Sequence, residues 1–279
     1  MQYETRMDGI VGRAGGVAMR EAWELLIAGP ENANRSVLLL PGGACSARSF
    51  DVVMAEPALS SVRLVATTLP GMAGAPVTGD VSIPAMARRA AKLAEEQACD
   101  VVVGFSHGAS VALDMVLSGH FRGPVVLLGL SLTTPDESRF FRYVVRASQK
   151  VGRWPMAILF RLMPLMARSA KTPEEHKNEL IEDFKKNRAS DAVRVCGEYL
   201  DYIAADRNFA AELAASDNPV WVVHAEEKGD GGLTDAERAT LEAAPNVILV
   251  RIPGAVFLIP DEAPDRTAAI IADALKQAT

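Results

Sequence analysis

Ser106 lies in the run Gly104-Phe105-Ser106-His107-Gly108, a G-x-S-x-G pattern, and a serine so placed is a candidate nucleophile. Its flanks give the pattern meaning. Residues 101–103 are a β-branched apolar run that reads as a buried strand, and residues 109–117 read as a helix packed on it. A strand, a tight turn and a helix would hold the hydroxyl up at the sheet edge. Small residues at 104 and 108 let the two backbones approach. A serine hydroxyl also needs a base within about 3 Å, directly or through one water. The chain has four histidines, and none follows His224. His107 adjoins the serine, but its side chain is expected to point away from the substrate side. His224 ends a strand at the correct sheet edge, some distance along it. His120 reads as surface, and His176 falls in a charged segment, residues 173–187, that reads as a solvated face. No histidine has an obvious path to Ser106.

The elements that must position the serine follow from the alternation of apolar runs and helical periods. An antiparallel entry hairpin is expected from strands at residues 3–7 and 17–27 around a glycine-rich turn. Strands are then expected at 36–40, 63–69, 101–103, 124–130, 218–224 and 246–252. Helices fall between them at 49–59, 82–97, 109–117, 234–243 and 265–276, with Pro84 at a first helical position. Strands alternating with helices at this spacing imply parallel βα units. The pattern breaks after Leu132. Helical segments at 139–150, 154–167, 173–186 and 190–204 form an insert that reads as a cap over the carboxyl ends of the strands. The division expected is a core of 1–132 plus 208–279 and a helical cap of 133–207. Met156, Phe160 and Met163 in the cap either line an apolar pocket or pack the cap onto the core, and unbranched Met suits an irregular cavity.

Composition bounds the function. The 279 residues are 49% hydrophobic, enough for a full α/β core, and the formal charge is -6. An acidic balance of this kind argues against a nucleic-acid partner, which would want a basic patch. Cys45, Cys99 and Cys196 are widely spaced and form no metal or redox motif. No apolar run approaches a membrane span, and the first residues lack the apolar core of a signal peptide. The expectation is a cytoplasmic protein, a monomer or homodimer, with a small, mostly apolar partner and no metal, cofactor, membrane or nucleic acid.

The sequence resembles the α/β-hydrolase superfamily, in its cap-bearing, serine-elbow branch. The resemblance rests on Leu38-Leu39-Leu40-Pro41-Gly42-Gly43, on Leu69-Pro70-Gly71-Met72-Ala73-Gly74, on the Ser106 elbow, and on the late loop from Pro253 to Pro264. It implies an α/β fold with a mostly parallel eight-stranded sheet, flanking helices and a helical cap. It also implies serine, acid and histidine in that chain order. Ser106 matches the nucleophile. The amide of His107 matches one oxyanion donor, and Gly43 or Ala44 matches the other. The acid position is met by Asp230 if the loop after the strand is long, with Glu226 and Glu227 as alternatives. The histidine position, counted forward from Pro253-Gly254-Ala255 or back from Glu262-Ala263-Pro264, is Phe257 both times.

Three readings stay open. One is a hydrolase acting on an ester or related carbonyl through Ser106, with a defective or non-standard triad. The second is a non-hydrolytic enzyme of lyase, cyclase or isomerase type using the same pocket. The third is a non-catalytic protein that binds a small ligand.

Overall fold

The computed structural model describes residues 4–10, 21–168, 172–226 and 232–278. β1 (Glu4–Ile10) and β2 (Glu21–Ala28) pair antiparallel with Glu4 opposite Ile27. The expected turn before β2 lies outside the described residues. β3 (Ser36–Leu40) leads through a single 3-10 turn at Ala47–Phe50 into the short α1 (Asp51–Met54). One helix over 49–59 was expected here. Pro57, which has no N–H to donate, instead starts a separate 3-10 turn at Pro57–Leu59. β4 (Arg63–Thr67), α2 (Ile83–Glu96), β5 (Val101–Phe105), α3 (His107–Leu117) and β6 (Val125–Leu128) follow.

Four helices are inserted before the next strand: α4 (Arg139–Val151), α5 (Trp154–Ala167), α6 (Glu174–Lys186) and α7 (Ala189–Ile203). The helical periods in the sequence located all four within a residue or so. A further short helix, α8 (Phe209–Ala214), leads into β7 (Val220–Ala225). α9 (Asp235–Glu242) begins with a capping box between Thr234 and Glu237, and β8 (Val247–Ile252) closes the sheet. The loop after it contains α10 (Ile259–Glu262), which the sequence did not suggest, and the chain ends on α11 (Pro264–Lys276).

The strand order is β1-β2-β4-β3-β5-β6-β7-β8. β2 runs against β4, and every later pairing is parallel. The expectation of an eight-stranded sheet is corrected to a seven-stranded body, β2 to β8, whose described side chains build the core. β1 joins that body at its edge through its ladder to β2. The central strands are apolar throughout because both faces are covered. Leu38 and Leu40 point into one core with α2, α3 and the inserted helices, while Val37 and Leu39 point into the other with α1 and α11. Val144, Val145, Met156, Val195 and Leu200 share the first core. The inserted helices therefore pack as part of the same apolar body as the sheet.

The charged helix α6 is not a solvated face all round. His176, Leu180, Ile181, Asp183 and Phe184 are buried on one side of it. Their spacing of four, one, two and one is helical, so charges on the outer face masked an inward stripe.

Candidate active site

Ser106 follows β5 directly and caps α3 with φ 49° and ψ -113°. A non-glycine residue at positive φ costs about 1–3 kcal/mol and persists only where its surroundings enforce it. They do so here. The Ser106 N–H donates to the Leu128 carbonyl at 2.8 Å, and the Ser106 carbonyl accepts from the Ala109 amide at 2.9 Å. A Cβ at position 108 would stand 2.2 Å from the Leu40 oxygen, and one at 104 would stand 2.3 Å from the Gly108 oxygen. Glycine at both positions is what lets α3 lie against β3 and β5 with the serine at the crest.

The Pro41-Gly42-Gly43-Ala44 loop rests on that crest. A Cβ on Gly42 would fall 2.8 Å from the Phe105 ring and 3.5 Å from Ser106 Cβ, and one on Gly43 would fall 3.9 Å from His107 Cβ. Among the described residues the amides of Gly43 and His107 carry no hydrogen bond. They are free donors on adjacent backbones. Ala44 behaves otherwise. It sits at φ 65°, and its N–H donates to Met72 Sδ at 3.1 Å. Its carbonyl accepts from Asn187 Nδ2 at 2.8 Å, while Asn187 Oδ1 accepts from the Ala73 amide at 2.9 Å. One asparagine at the end of α6 thus ties together the two loops on which the resemblance rests. Phe160 and Met163 pack against a small cluster of Ala44, Cys45, Ile181 and Phe184, whereas Met156 is buried in the main core.

None of the four histidines hydrogen-bonds Ser106, whose side chain has no hydrogen-bond partner among the described residues. His107 is buried, edge-on to Tyr199 with ring centroids 5.6 Å apart, and its Nε2 has no partner. Burial pulls its pKa down to about 4. His224, at the end of β7, also has an unpartnered Nε2, and burial with the charges of Arg238 and Arg251 pulls it to about 4. His120 is exposed, as expected. His176 is buried and engaged with Asp261 at 2.6 Å. The Phe257 ring lies 5.8 Å from that of Phe105, tilted, and is 46% exposed. Its amide and that of Val256 both donate to Glu262 Oε2, at 3.1 and 2.8 Å.

These two neutral imidazoles, His107 buried and His224 half-buried, fix an acid limit. Both folded pKa values lie below the ordinary value of 6.5, so their contribution is present above that pH and lost as pH falls towards 4. Each unit of depression corresponds to about 1.4 kcal/mol. Thermal melts from pH 7 to 4 are expected to show a steep loss of stability below about pH 6. Replacing His107 by Gln should flatten that loss; an unchanged profile would show that the imidazole does not titrate as its burial requires.

Of the candidate acids, Glu226 is exposed at the end of β7. Asp230 and Glu227 lie outside the described residues. A second polar cluster was not anticipated. Asp261 of α10 receives His176 from α6, Ser46 Oγ donates to the buried Asp183, and Glu179 stands 3.4 Å from His176 Nδ1. Cys45 is buried among these groups, and burial followed by the charges of Asp261 and Asp183 pushes its thiol well up, so it is no nucleophile. Among the described residues no group of three or more His, Cys, Asp or Glu side chains has the arrangement of a metal site. A groove of about 670 Å³ between β8 and α11, lined by Trp221, Ile248 and Arg266, shares no residue with the elbow or its loop.

Solved structures share this architecture. Cfl2 of Burkholderia cenocepacia aligns over 98% of this chain and 96% of its own at 19% identity, with a TM-score of 0.74. A thermophilic esterase from Thermogutta terrifontis aligns over 100% of both chains at 20% identity, TM-score 0.68. The 2-hydroxy-6-oxo-6-phenylhexa-2,4-dienoate hydrolase of Rhodococcus sp. strain RHA1 covers 99% of this chain and 100% of its own at 16% identity, TM-score 0.69. At these identities the likeness is one of fold. No curated protein matches the chain by sequence. The Ser106 turn, the Gly42 loop and Phe257 all fall within residues 37–270, which match the profile of the Alpha/beta hydrolase family, and the chain belongs to that family.

Proposed function

We propose that this chain is a serine-dependent hydrolase of an ester or related carbonyl in a small, mostly apolar molecule, with a non-standard triad. The observation that carries the reading is the strained Ser106 turn with the Gly42-Gly43 loop seated on it. Ser106 Oγ attacks the carbonyl carbon, and the free amides of Gly43 and His107 receive the developing oxyanion. The adduct collapses with cleavage of the ester C–O bond and departure of the alcohol, which takes up the proton the serine gives up. Water then cleaves the acyl-serine to release the acid and restore Ser106. Fixed donors at that point lower the barrier without reorganisation. Ala44 is a poorer donor than Gly43 because Met72 occupies its N–H. Asp230 is the acid in this reading, with Glu226 and Glu227 as alternatives on the same loop. Residues 133–207 act as a cap, and Phe160 and Met163, which pack on the cluster that includes Ala44, line its substrate side. The setting is cytoplasmic, as a monomer or homodimer.

With Phe257 in the histidine position, the serine proton leaves to water or to a substrate group. Turnover is therefore slow, since losing one triad member leaves only residual catalysis. With short-chain p-nitrophenyl esters, Ser106→Ala is expected to bring the rate to background, and Phe257→His to raise kcat/KM by roughly tenfold or more. A Ser106→Ala rate equal to the parent's would sink the hydrolase reading.

The absence of any histidine bonded to Ser106 favours a second reading. In it Phe257 and Phe105 form the wall of a pocket that serves non-hydrolytic chemistry or ligand binding alone. A ligand that raises the Tm of the parent and of Ser106→Ala equally, with no ester turnover by either, would select it.

A further inference from the structure

Residues 139–173 contain eight Lys or Arg and no Asp or Glu, in a chain whose formal charge is -6. α4 and α5, which occupy most of this stretch, pack against each other and, among the described residues, also carry most of the exposed large apolar side chains. Trp154, Ile158, Leu162 and Leu165 on α5 are 58%, 50%, 46% and 59% exposed. Their spacing of four, four and three puts them on one helical face, and Arg161 and Arg168 fall on the same face. On α4, Phe140 and Tyr143 are exposed beside Arg139, with Val151 and Lys150 at its other end. Arg139, Lys150, Arg153, Arg161 and Arg168 are all exposed and have no ion pair among the described residues, whereas Arg146 is engaged by Asp201.

From this we propose that α4 and α5 form a docking surface for an anionic lipid bilayer, lying in its interface with Trp154, Ile158, Leu162 and Leu165 inserted. The composition fits that solvent on both counts. Apolar and aromatic side chains gain by entering the headgroup–acyl boundary, and free cations beside them gain from anionic headgroups. No described helix is long and apolar enough to cross a membrane, so the contact is peripheral. A second copy is the poorer occupant. A two-fold pairing through this face would set the unpaired cations of one copy against those of the other. The surface is independent of whether Ser106 is a nucleophile.

The three tryptophans make the test selective, because Trp23 and Trp221 are 4% and 5% exposed and Trp154 is 58% exposed. Vesicles of phosphatidylcholine with phosphatidylglycerol should shift the tryptophan emission to the blue and carry the full chain down on sedimentation. Pure phosphatidylcholine vesicles should do neither. Trp154→Phe should remove the shift. Each cation near an anionic surface is worth about fivefold in partition, so Arg153→Gln/Arg161→Gln/Arg168→Gln should weaken sedimentation on the order of 100-fold. Added salt should weaken the parent in the same sense, a check that needs no variant. Absence of binding to the mixed vesicles would overturn the proposal, as would equal binding to pure phosphatidylcholine. Concentration-dependent self-association abolished by Leu162→Glu, with no vesicle binding, would reassign the face to contacts between copies.

Discussion

Gly108→Ala is expected to cost at least about 3 kcal/mol and to lower the Tm by roughly 10 °C, if the protein folds at all. The added methyl would sit 2.2 Å from the Leu40 oxygen and 2.6 Å from its carbonyl carbon. Both atoms belong to a fully buried central strand, where relief by rotating a side chain is impossible. α3 must therefore move away from β3, and Ser106 moves with it because its carbonyl anchors the first turn of that helix. Differential scanning calorimetry reads the stability, and a serine-reactive probe reads the displacement. A variant with the parent's Tm would show that the close approach of α3 and β3 is not required.

Asp261→Asn is expected to destabilise by about 3–5 kcal/mol, because it leaves a buried imidazole without its charged partner. Burial, the largest single influence, pulls the pKa of His176 down, and the hydrogen bond and charge of Asp261 together with its other acidic neighbours outweigh that pull, so the net shift is upward. Asp51 and Glu179 act in the same direction. The sign for pH follows from the raised folded value. The contribution from holding His176 protonated is fully present below the unfolded value of about 6.5, so long as Asp261 stays ionised, and is lost as pH rises through the folded value. The difference between parent and Asp261→Asn should accordingly narrow on the alkaline side. Urea unfolding at several pH values measures it. A gap that widens with pH would mean that His176 is not held as a cation by Asp261. The pair is also the buried tie between α6 and α10, and α6 carries Asn187, which holds the Ala44 and Ala73 loops. Loosening it should raise KM for ester substrates more than it lowers kcat.

How far the sequence reached depends on whether a signal was local. The Ser106 turn was legible because strand, small residues and helix lie within a few positions. The inserted helices were legible from their apolar periods. Phe257 was singled out in the loop after β8 by counting from flanking motifs, a local reading that says nothing of the ring's contact with Phe105. What the sequence missed depended on partners far along the chain. His176 and Asp261 are separated by 85 positions, and charges surrounding His176 suggested a solvated helix. A stripe of 176, 180, 181 and 184 was the available clue. Net charge hid the cationic stretch at 139–173 because acidic residues elsewhere outnumber it. Pro57 was a local signal that the expected helix at 49–59 overlooked.

The claim on which the functional reading rests is that Ser106 is a reactive hydroxyl. Intact-mass analysis after a fluorophosphonate probe tests it without any assumption about substrate. A single adduct is expected on the parent, mapped to Ser106, absent from Ser106→Ala and formed faster in Phe257→His. A parent that stays unlabelled while Phe257→His reacts would contradict it, leaving Ser106 a well-presented serine in a pocket that does not use it.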